Sequence, residues 1–140
     1  MTTAVKVLFV CVRNSGKSQM AAGLLRAAAG DRIEVHSAGT DPGVRLNALS
    51  VASLREVGVD IGGEVPKPVD PPLLAVVDLV VVLGREAELD APAGVRVLRW
   101  DTDEPSARGI EGIERMRLVR DDITARIRAL AAEFDSTIQL

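Results

Sequence analysis

The stretch that decides the fold is FVCVRNSGKSQM, residues 9–20. It closes an apolar run, turns through Asn14, Ser15 and Gly16, and continues as a segment rich in good helix formers. A buried strand followed by a tight turn and a helix N-terminus directs several backbone N–H groups into one concavity. The stretch therefore predicts an anion-binding loop at the carboxyl end of a first strand.

The rest of the chain alternates between strand-like and helix-like segments. VKVLFVCV, residues 5–12, is rich in β-branched residues and almost continuously apolar, which is typical of a strand buried on both faces of a parallel sheet. We predict strands over 5–12, 32–39, 77–84 and 94–100, and helices over 18–30, 48–58 and from residue 110 onward.

Two of these helices are predicted from the spacing of their apolar residues. Apolar positions in the second helix are Leu49, Ala52, Leu54 and Val57, whereas residues 60–72 hold four of the seven prolines and predict an ordered loop. The last helix carries one long apolar stripe with steps of three or four residues. Its members are Ile110, Ile113, Met116, Val119, Ile123, Ile127, Leu130 and Phe134.

This order of elements predicts the α/β class. We expect a single doubly wound domain over residues 1–140, with a four-stranded parallel sheet flanked by helices. Ligands of such folds bind beyond the carboxyl ends of the strands, and Cys11 lies at one of these ends. The opening stretch is therefore where binding chemistry is expected.

Composition excludes several classes of protein. Apolar residues make up 47% of the chain and charged residues 26%, which is typical of a globular domain, and the net charge of -3 argues against nucleic-acid binding. The apolar runs are too short to span a membrane and no secretion signal is recognisable, so we expect a cytoplasmic protein. A lone cysteine suits a reducing compartment and argues against structural zinc, so no metal is expected.

The opening stretch permits two kinds of anion loop. Residues 16–18, GKS, match the end of the nucleotide-binding pattern G-x-x-x-x-G-K-[ST], but Cys11 occupies the position of its first glycine. A magnesium-binding aspartate at the end of a later strand is also missing, because the third strand ends in VVLG. The pattern therefore favours a loop built around a thiol over a nucleotide loop.

Cys11 is predicted to be a nucleophile. The amides and helix dipole that attract an oxyanion also stabilise a thiolate, Lys17 adds a positive charge, and the Ser18 hydroxyl is placed to donate to the sulfur. The alternative is that Cys11 is a small buried apolar residue at a strand end.

The segment VLFVCVRNSGKSQMAAGLL, residues 7–25, resembles the active-site segment of the low-molecular-weight protein tyrosine phosphatase superfamily, in which a cysteine is followed by five residues, an arginine and a serine. HSAGTDP, LREVGVDIGG, DLVVVL, RWDTDEPS and MRLVRDDI resemble, in order along the chain, the arsenate reductases of that superfamily. The resemblance implies a low-molecular-weight phosphatase-like fold and the reduction of As(V) to As(III).

The resemblance also implies roles for individual residues. Cys11 is the implied nucleophile, Asn14 and Ser18 hold the loop and the thiolate, and Glu104, just before a proline, is the implied general acid. Asp103 is next to it, and the sequence leaves open which of the two carboxyls acts as the acid. Without the resemblance, both residues would be interpreted as part of a solvated loop next to a helix N-terminus. The implied oxyanion-binding residues are Val12, Arg13, Asn14, Ser15, Gly16 and Lys17.

The chain departs from the superfamily pattern in three ways. Lys17 replaces the arginine and lacks its planar two-pronged geometry, so we expect weak phosphatase action unless Arg13 compensates. No tyrosine is present to hold a phosphotyrosine ring, which favours a small inorganic oxyanion such as arsenate. Residues 81–92 lack the two further cysteines that thioredoxin-linked arsenate reductases use.

One thiol cannot supply the two electrons that arsenate reduction needs. The resemblance therefore implies an external low-molecular-weight thiol, mycothiol, as co-substrate, together with mycoredoxin, a glutaredoxin-like protein; no bound cofactor is expected. Arg26, Arg45 and Arg85 are candidates for recruiting an acidic thiol, and His36 is interpreted as a structural residue. The alternatives are a phosphatase for a small phosphoester and a non-catalytic oxyanion-binding protein.

Overall fold

The central strand of the fold is the apolar run that ends in the only cysteine. The structure, a computed structural model, describes the backbone of residues 4–138 and the side chains of residues 4–135. Its four strands are all parallel and lie in the order β2-β1-β3-β4, which confirms the predicted α/β sheet. The strands are β1 (Val5–Cys11), β2 (Ile33–Gly39), β3 (Leu79–Leu83) and β4 (Arg96–Trp100). The helices are α1 (Lys17–Ala29), α2 (Ala48–Arg55), α3 (Pro71–Leu74) and α4 (Gly112–Ile138).

Both faces of the sheet are buried, as the continuous apolarity of β1 predicts. Val7 and Phe9 belong to one apolar cluster with residues of α1 and α4, and Leu8 and Val10 belong to a second cluster with residues of α3 and the segments that flank β3. All four side chains are fully buried. Burying one such side chain stabilises a fold by about 1.5–3 kcal/mol, so β1 alone is a major part of the core.

Helix α4 buries the stripe that its sequence predicts. Met116, Val119, Ile123, Ile127 and Leu130 are buried in the larger cluster, where α4 packs against α1 and α2. None of the helices within the described part of the chain is long and apolar enough to cross a membrane.

Helix α2 differs from its prediction. It ends at Arg55, and Leu49 and Val57 are exposed, whereas Ser50 and Ser53 are fully buried. The small side chains allow a close approach to the anion-binding loop, since a Cβ on Gly16 would lie 3.4 Å from Ser50 Oγ. The apolar spacing therefore identified Leu54, which is fully buried, but it wrongly included Leu49 and Val57 and missed Ser50 and Ser53.

Smaller differences concern the ends of elements. β1 ends one residue earlier than predicted, and β3 and β4 each begin two residues later. The short helix α3 begins in the proline-rich loop and was not predicted; Pro71 is at its first turn, where a missing N–H costs no hydrogen bond.

Candidate active site

Residues 12–17, here called the anion loop, join the carboxyl end of β1 to the first turn of α1. β1 lies between β2 and β3, and the chain reaches these two neighbours in opposite directions from it. In doubly wound folds this switch point is where the connecting loops separate and leave a crevice for ligands. The sheet topology therefore places the anion loop at the expected binding position.

The sulfur of Cys11 has two hydrogen-bond partners. The backbone N–H of Asn14 donates to Sγ at 3.2 Å, and Ser18 Oγ lies 2.9 Å from Sγ. Because Asn14 Nδ2 already donates to Ser18 Oγ at 2.7 Å, the hydroxyl hydrogen of Ser18 is free to point at the sulfur. Two donors are thus directed at one sulfur, at the end of a strand and beside a helix N-terminus, which is an arrangement that suits a nucleophilic cysteine.

Asn14 fixes the shape of the anion loop. Its φ is 54°, in the left-handed region that asparagine tolerates better than most residues, and it is fully buried. Its Oδ1 accepts from Gln19 Nε2 at 3.0 Å and from the backbone N–H of Lys67 at 3.0 Å. Asn14 thereby connects the loop to α1 and to the proline-rich segment.

A second segment, residues 40–47, supports the loop from outside. The backbone N–H groups of Thr40, Asp41, Gly43 and Asn47 donate to the carbonyls of Cys11, Val12, Arg13 and Ser15 at 2.8–3.1 Å. The N–H groups of Ser15, Gly16 and Lys17, in contrast, donate to no described residue and remain available to an anion.

Gly39, the last residue of β2, allows the loop to pack this closely. A Cβ at this position would lie 2.7 Å from the Val12 carbonyl oxygen and 3.0 Å from Asn14 Cβ. Val12 itself packs partly buried against the smaller apolar cluster. The position therefore requires glycine for close approach.

Lys17 and Glu104 meet although they are far apart in the sequence. Lys17 Nζ donates to Glu104 Oε1 in an ion pair, and only 19% of the Lys17 side chain is exposed. The ammonium also lies next to Gly84, at the end of β3. Pro105 is buried and begins a short 3₁₀ turn, which holds Glu104 in place. The structure thus places Glu104, the implied general acid, in contact with Lys17, the implied anion-binding cation.

Asp103 has a different environment. Both of its carboxylate oxygens accept from Arg108, at 2.8 and 3.1 Å, and its backbone N–H donates to Asp122. The hydrogen bond from Arg108 holds the pKa of the Asp103 carboxyl below its ordinary value. Asp103 is thus directed toward Arg108, whereas Glu104 contacts Lys17 of the anion loop, so the geometry favours Glu104 as the acid.

Arg13 does not compensate for Lys17. Its guanidinium pairs with Asp41 at 2.7 Å, and the side chain is largely exposed. His36 is hydrogen-bonded to Glu34 at 2.8 Å, in agreement with a structural interpretation. No group of three or more metal-ligating side chains is found within the described ranges.

Two polar residues of the site were not predicted. Gln19 is fully buried in α1 and donates to Asn14 and to the carbonyl of Val65. Lys67 reaches the buried Ser37 hydroxyl at 3.1 Å, and burial lowers the pKa of its ammonium. A glutamine inside an otherwise apolar helix face was the one signal in the sequence that pointed to this network.

Known proteins resemble this chain over almost its entire length. An arsenate reductase from Halalkalibacterium halodurans is 36% identical over 134 residues, covering 89% of this chain and 94% of its own. A solved arsenate reductase in the phosphate-binding state is 30% identical, with a TM-score of 0.80 and coverage of 92% and 98%. The thioredoxin-dependent arsenate reductase Cg_ArsC1' from Corynebacterium glutamicum is 31% identical, with a TM-score of 0.82; the match covers 97% of this chain but only 64% of that one.

These likenesses confirm the predicted fold. Residues 6–140 also match the family described as low molecular weight phosphotyrosine protein phosphatase. The matched range begins at the second residue of β1. It includes the rest of β1, the other three strands, the anion loop and the segment that carries Glu104. The chain therefore belongs to the low molecular weight phosphotyrosine protein phosphatase family.

Proposed function

We propose that this protein is an arsenate reductase that draws its electrons from an external low-molecular-weight thiol. The observation that carries the proposal is the placement of the only cysteine. Cys11 lies at the end of β1 with two donors to its sulfur and a loop of unpaired N–H groups beside it. Such a site suits a tetrahedral oxyanion that bonds to sulfur.

In the first step the Cys11 thiolate attacks arsenic, a sulfur–arsenic bond forms, and one As–O bond breaks. The departing hydroxide takes a proton from Glu104 and leaves as water. A bound arsenate competes with Glu104 for the ammonium of Lys17, so the carboxyl released from this ion pair can carry the proton. Arsenic is still As(V) at the end of this step.

In the second step the external thiol transfers its proton to Glu104 and bonds to arsenic, and Cys11 leaves as thiolate. A further thiol then attacks the sulfur of the thiol–arsenic adduct, so that a disulfide forms and arsenic keeps the bonding pair as As(III). Cys11 has no second cysteine in the chain with which to form a disulfide. We therefore assign the two electrons to mycothiol and mycoredoxin, in the reducing cytoplasm.

The phosphatase alternative is less well supported. Lys17 is a point charge where the family pattern has a guanidinium, and Arg13 is engaged by Asp41 outside the loop. The chain has no tyrosine with which to hold an aromatic phosphoester. A non-catalytic oxyanion binder would not need an acid, yet Glu104 contacts Lys17 directly.

The test is an arsenate assay with each thiol system in turn. We expect arsenate-dependent oxidation of NADPH with mycothiol, mycoredoxin and the mycothiol-disulfide reductase, and none with Cys11→Ser. Steady hydrolysis of p-nitrophenyl phosphate without any thiol, and no arsenate turnover with any thiol system, would assign the site to a phosphatase instead. Equal oxyanion affinity in wild type and Cys11→Ser, with no turnover in either, would indicate a binding protein.

A further inference from the structure

A cavity of about 500 Å³ lies beyond the carboxyl ends of β3 and β4 and is here called the β3–β4 cavity. Its lining includes Glu104, whose carboxylate bonds Lys17 of the anion loop, so the cavity adjoins the loop across a single side chain. Cavities of this size accommodate small organic ligands. An arsenate ion fills only a small part of such a volume, which leaves the cavity without an assigned occupant.

We propose that the β3–β4 cavity binds the polar part of the external thiol, and that it takes an uncharged, hydroxyl-rich thiol in preference to an anionic one. The inference rests on the proposed function, because it concerns the co-substrate of that reaction.

The charges of the lining explain the preference. Arg85 donates to both carboxylate oxygens of Asp101 at 2.9 and 2.7 Å, and Arg108 pairs in the same manner with Asp103. Each guanidinium is therefore neutralised locally, and Arg85 is not a free cation for an acidic thiol. The carboxylates of Glu86 and Glu104 also line the cavity, and since Lys17 pairs with Glu104, the carboxylate of Glu86 leaves the lining with an excess of negative charge.

The same pairs suit hydroxyl groups. A carboxylate that accepts from one guanidinium keeps unused lone pairs, and a guanidinium that donates two hydrogen bonds keeps further N–H groups. A hydroxyl both donates and accepts, so it can bind such a pair without breaking it. An anionic group, in contrast, must separate Arg85 from Asp101 or lie against carboxylates.

Thr102 gives an independent indication of a ligand. It lines the cavity and is only 3% exposed, and its Oγ1 has no hydrogen-bond partner among the described residues. Buried hydroxyls are rarely left unsatisfied, because desolvation without a partner costs about 1–3 kcal/mol. The fold leaves this hydroxyl without a partner at the wall of the cavity, and we assign that place to a polar group of the bound thiol.

The position also fits the chemistry of transfer. A thiol anchored in the β3–β4 cavity reaches the arsenic on Cys11 past Glu104, which is the carboxylate that accepts the thiol proton. The new sulfur–arsenic bond forms as the bond to Cys11 breaks, arsenic stays As(V), and no electrons are exchanged in this step.

Kinetics with two thiols test the selectivity. With mycothiol, an uncharged inositol-containing thiol, we expect Arg85→Gln/Asp101→Asn to raise the KM for the thiol by about tenfold. The KM for arsenate should stay near that of wild type, as should both constants in the matched control Arg55→Gln/Asp60→Asn, which removes an exposed pair elsewhere. Glu86→Gln should raise kcat/KM for glutathione, an anionic thiol, by about fivefold. Unchanged thiol KM and unchanged glutathione selectivity would overturn the inference.

The variant Thr102→Val distinguishes a role of Thr102 in thiol binding from a purely structural role. It removes an unsatisfied hydroxyl, so we expect equal or higher stability in urea together with a KM for mycothiol raised by about fivefold. A loss of stability with an unchanged KM would contradict the assignment.

A titration without arsenate separates this inference from the proposed function. Addition of S-methyl mycothiol should shift the backbone amide signals of residues 101–104 in the NMR spectrum. If they do not shift, the cavity assignment is wrong even if arsenate turns over. If they shift while wild type reduces no arsenate with any thiol, the cavity assignment stands and the proposed function falls.

Discussion

At the scale of single residues, two neighbouring carboxyls have different partners, and this difference supports the proposed role of Glu104 as the acid. Glu104 faces the anion loop, whereas Asp103 is held ionised by Arg108. We expect Glu104→Gln to slow arsenylation of Cys11 by about 100-fold or more, because the departing hydroxide loses its proton donor. Asp103→Asn should arsenylate Cys11 at a rate of the same order of magnitude as wild type. Rapid quenching followed by intact-mass spectrometry measures both rates; a loss in Asp103→Asn as large as that in Glu104→Gln would contradict the assignment of Glu104 as the acid.

Asn14 is the residue on which the shape of the anion loop depends. Asn14→Ala leaves the Lys67 N–H and Gln19 Nε2 without their acceptor and places alanine at a φ of 54°. We expect a loss of about 3 kcal/mol in the free energy of unfolding, measured by urea denaturation. As a control, Asn47→Ala removes a helix N-cap outside the loop and should cost only about 1 kcal/mol. Equal, small losses in both variants would show that the Asn14 network does not hold the loop.

At the scale of elements, an ion-pair network joins the end of α2 to α4. Glu56 accepts hydrogen bonds from Arg117 and Arg120, and the bond from Arg117 is the main cause that lowers the pKa of Glu56 from 4.5 to about 2. A carboxyl whose pKa is depressed by folding contributes stability above its unfolded pKa and loses it as the pH falls toward the folded value. The contribution of Glu56 is therefore complete at pH 7 and disappears between pH 4.5 and about 2.

This predicts how Glu56→Gln should behave. The variant should be less stable than wild type at pH 7, and the difference should shrink as the pH is lowered through this range. Urea denaturation at a series of pH values measures it, with Glu111→Gln, an exposed carboxyl just before α4, as control. A difference that is independent of pH would mean that the charge of Glu56 does not stabilise the contact.

The elements were predictable where local pattern determines burial. β1 was found from its almost continuous run of apolar residues and α4 from apolar residues at helical spacing, and both are buried as expected. α2 was only partly predicted: its buried residues are Leu54, which the spacing included, and Ser50 and Ser53, whose small polar side chains carry no hydrophobic signal. The pairing of Lys17 with Glu104 joins residues 87 positions apart, and no local periodicity encodes such a contact.

At the scale of the whole molecule, the sheet order makes one sulfur the centre of the chemistry. β1 occupies an inner position of the sheet, so its carboxyl end opens at the switch point with β2 and β3 on either side. Among the described residues and in the complete sequence, Cys11 is the only thiol. In the mechanism that we propose, Cys11 binds arsenic covalently and the sequence supplies only one of the thiols that reduction requires. The account therefore depends on electrons that enter from outside the chain.

Arsenic speciation in a single turnover tests this claim most directly. Wild-type protein in excess over arsenate, without any other thiol, should yield the Cys11–As(V) adduct and no arsenite. Addition of mycothiol and mycoredoxin should then release arsenite in an amount equal to the arsenate supplied. Formation of arsenite by the protein alone, with no Cys11–Cys11 disulfide between two chains on a non-reducing gel, would contradict the account, because one cysteine would then have supplied both electrons.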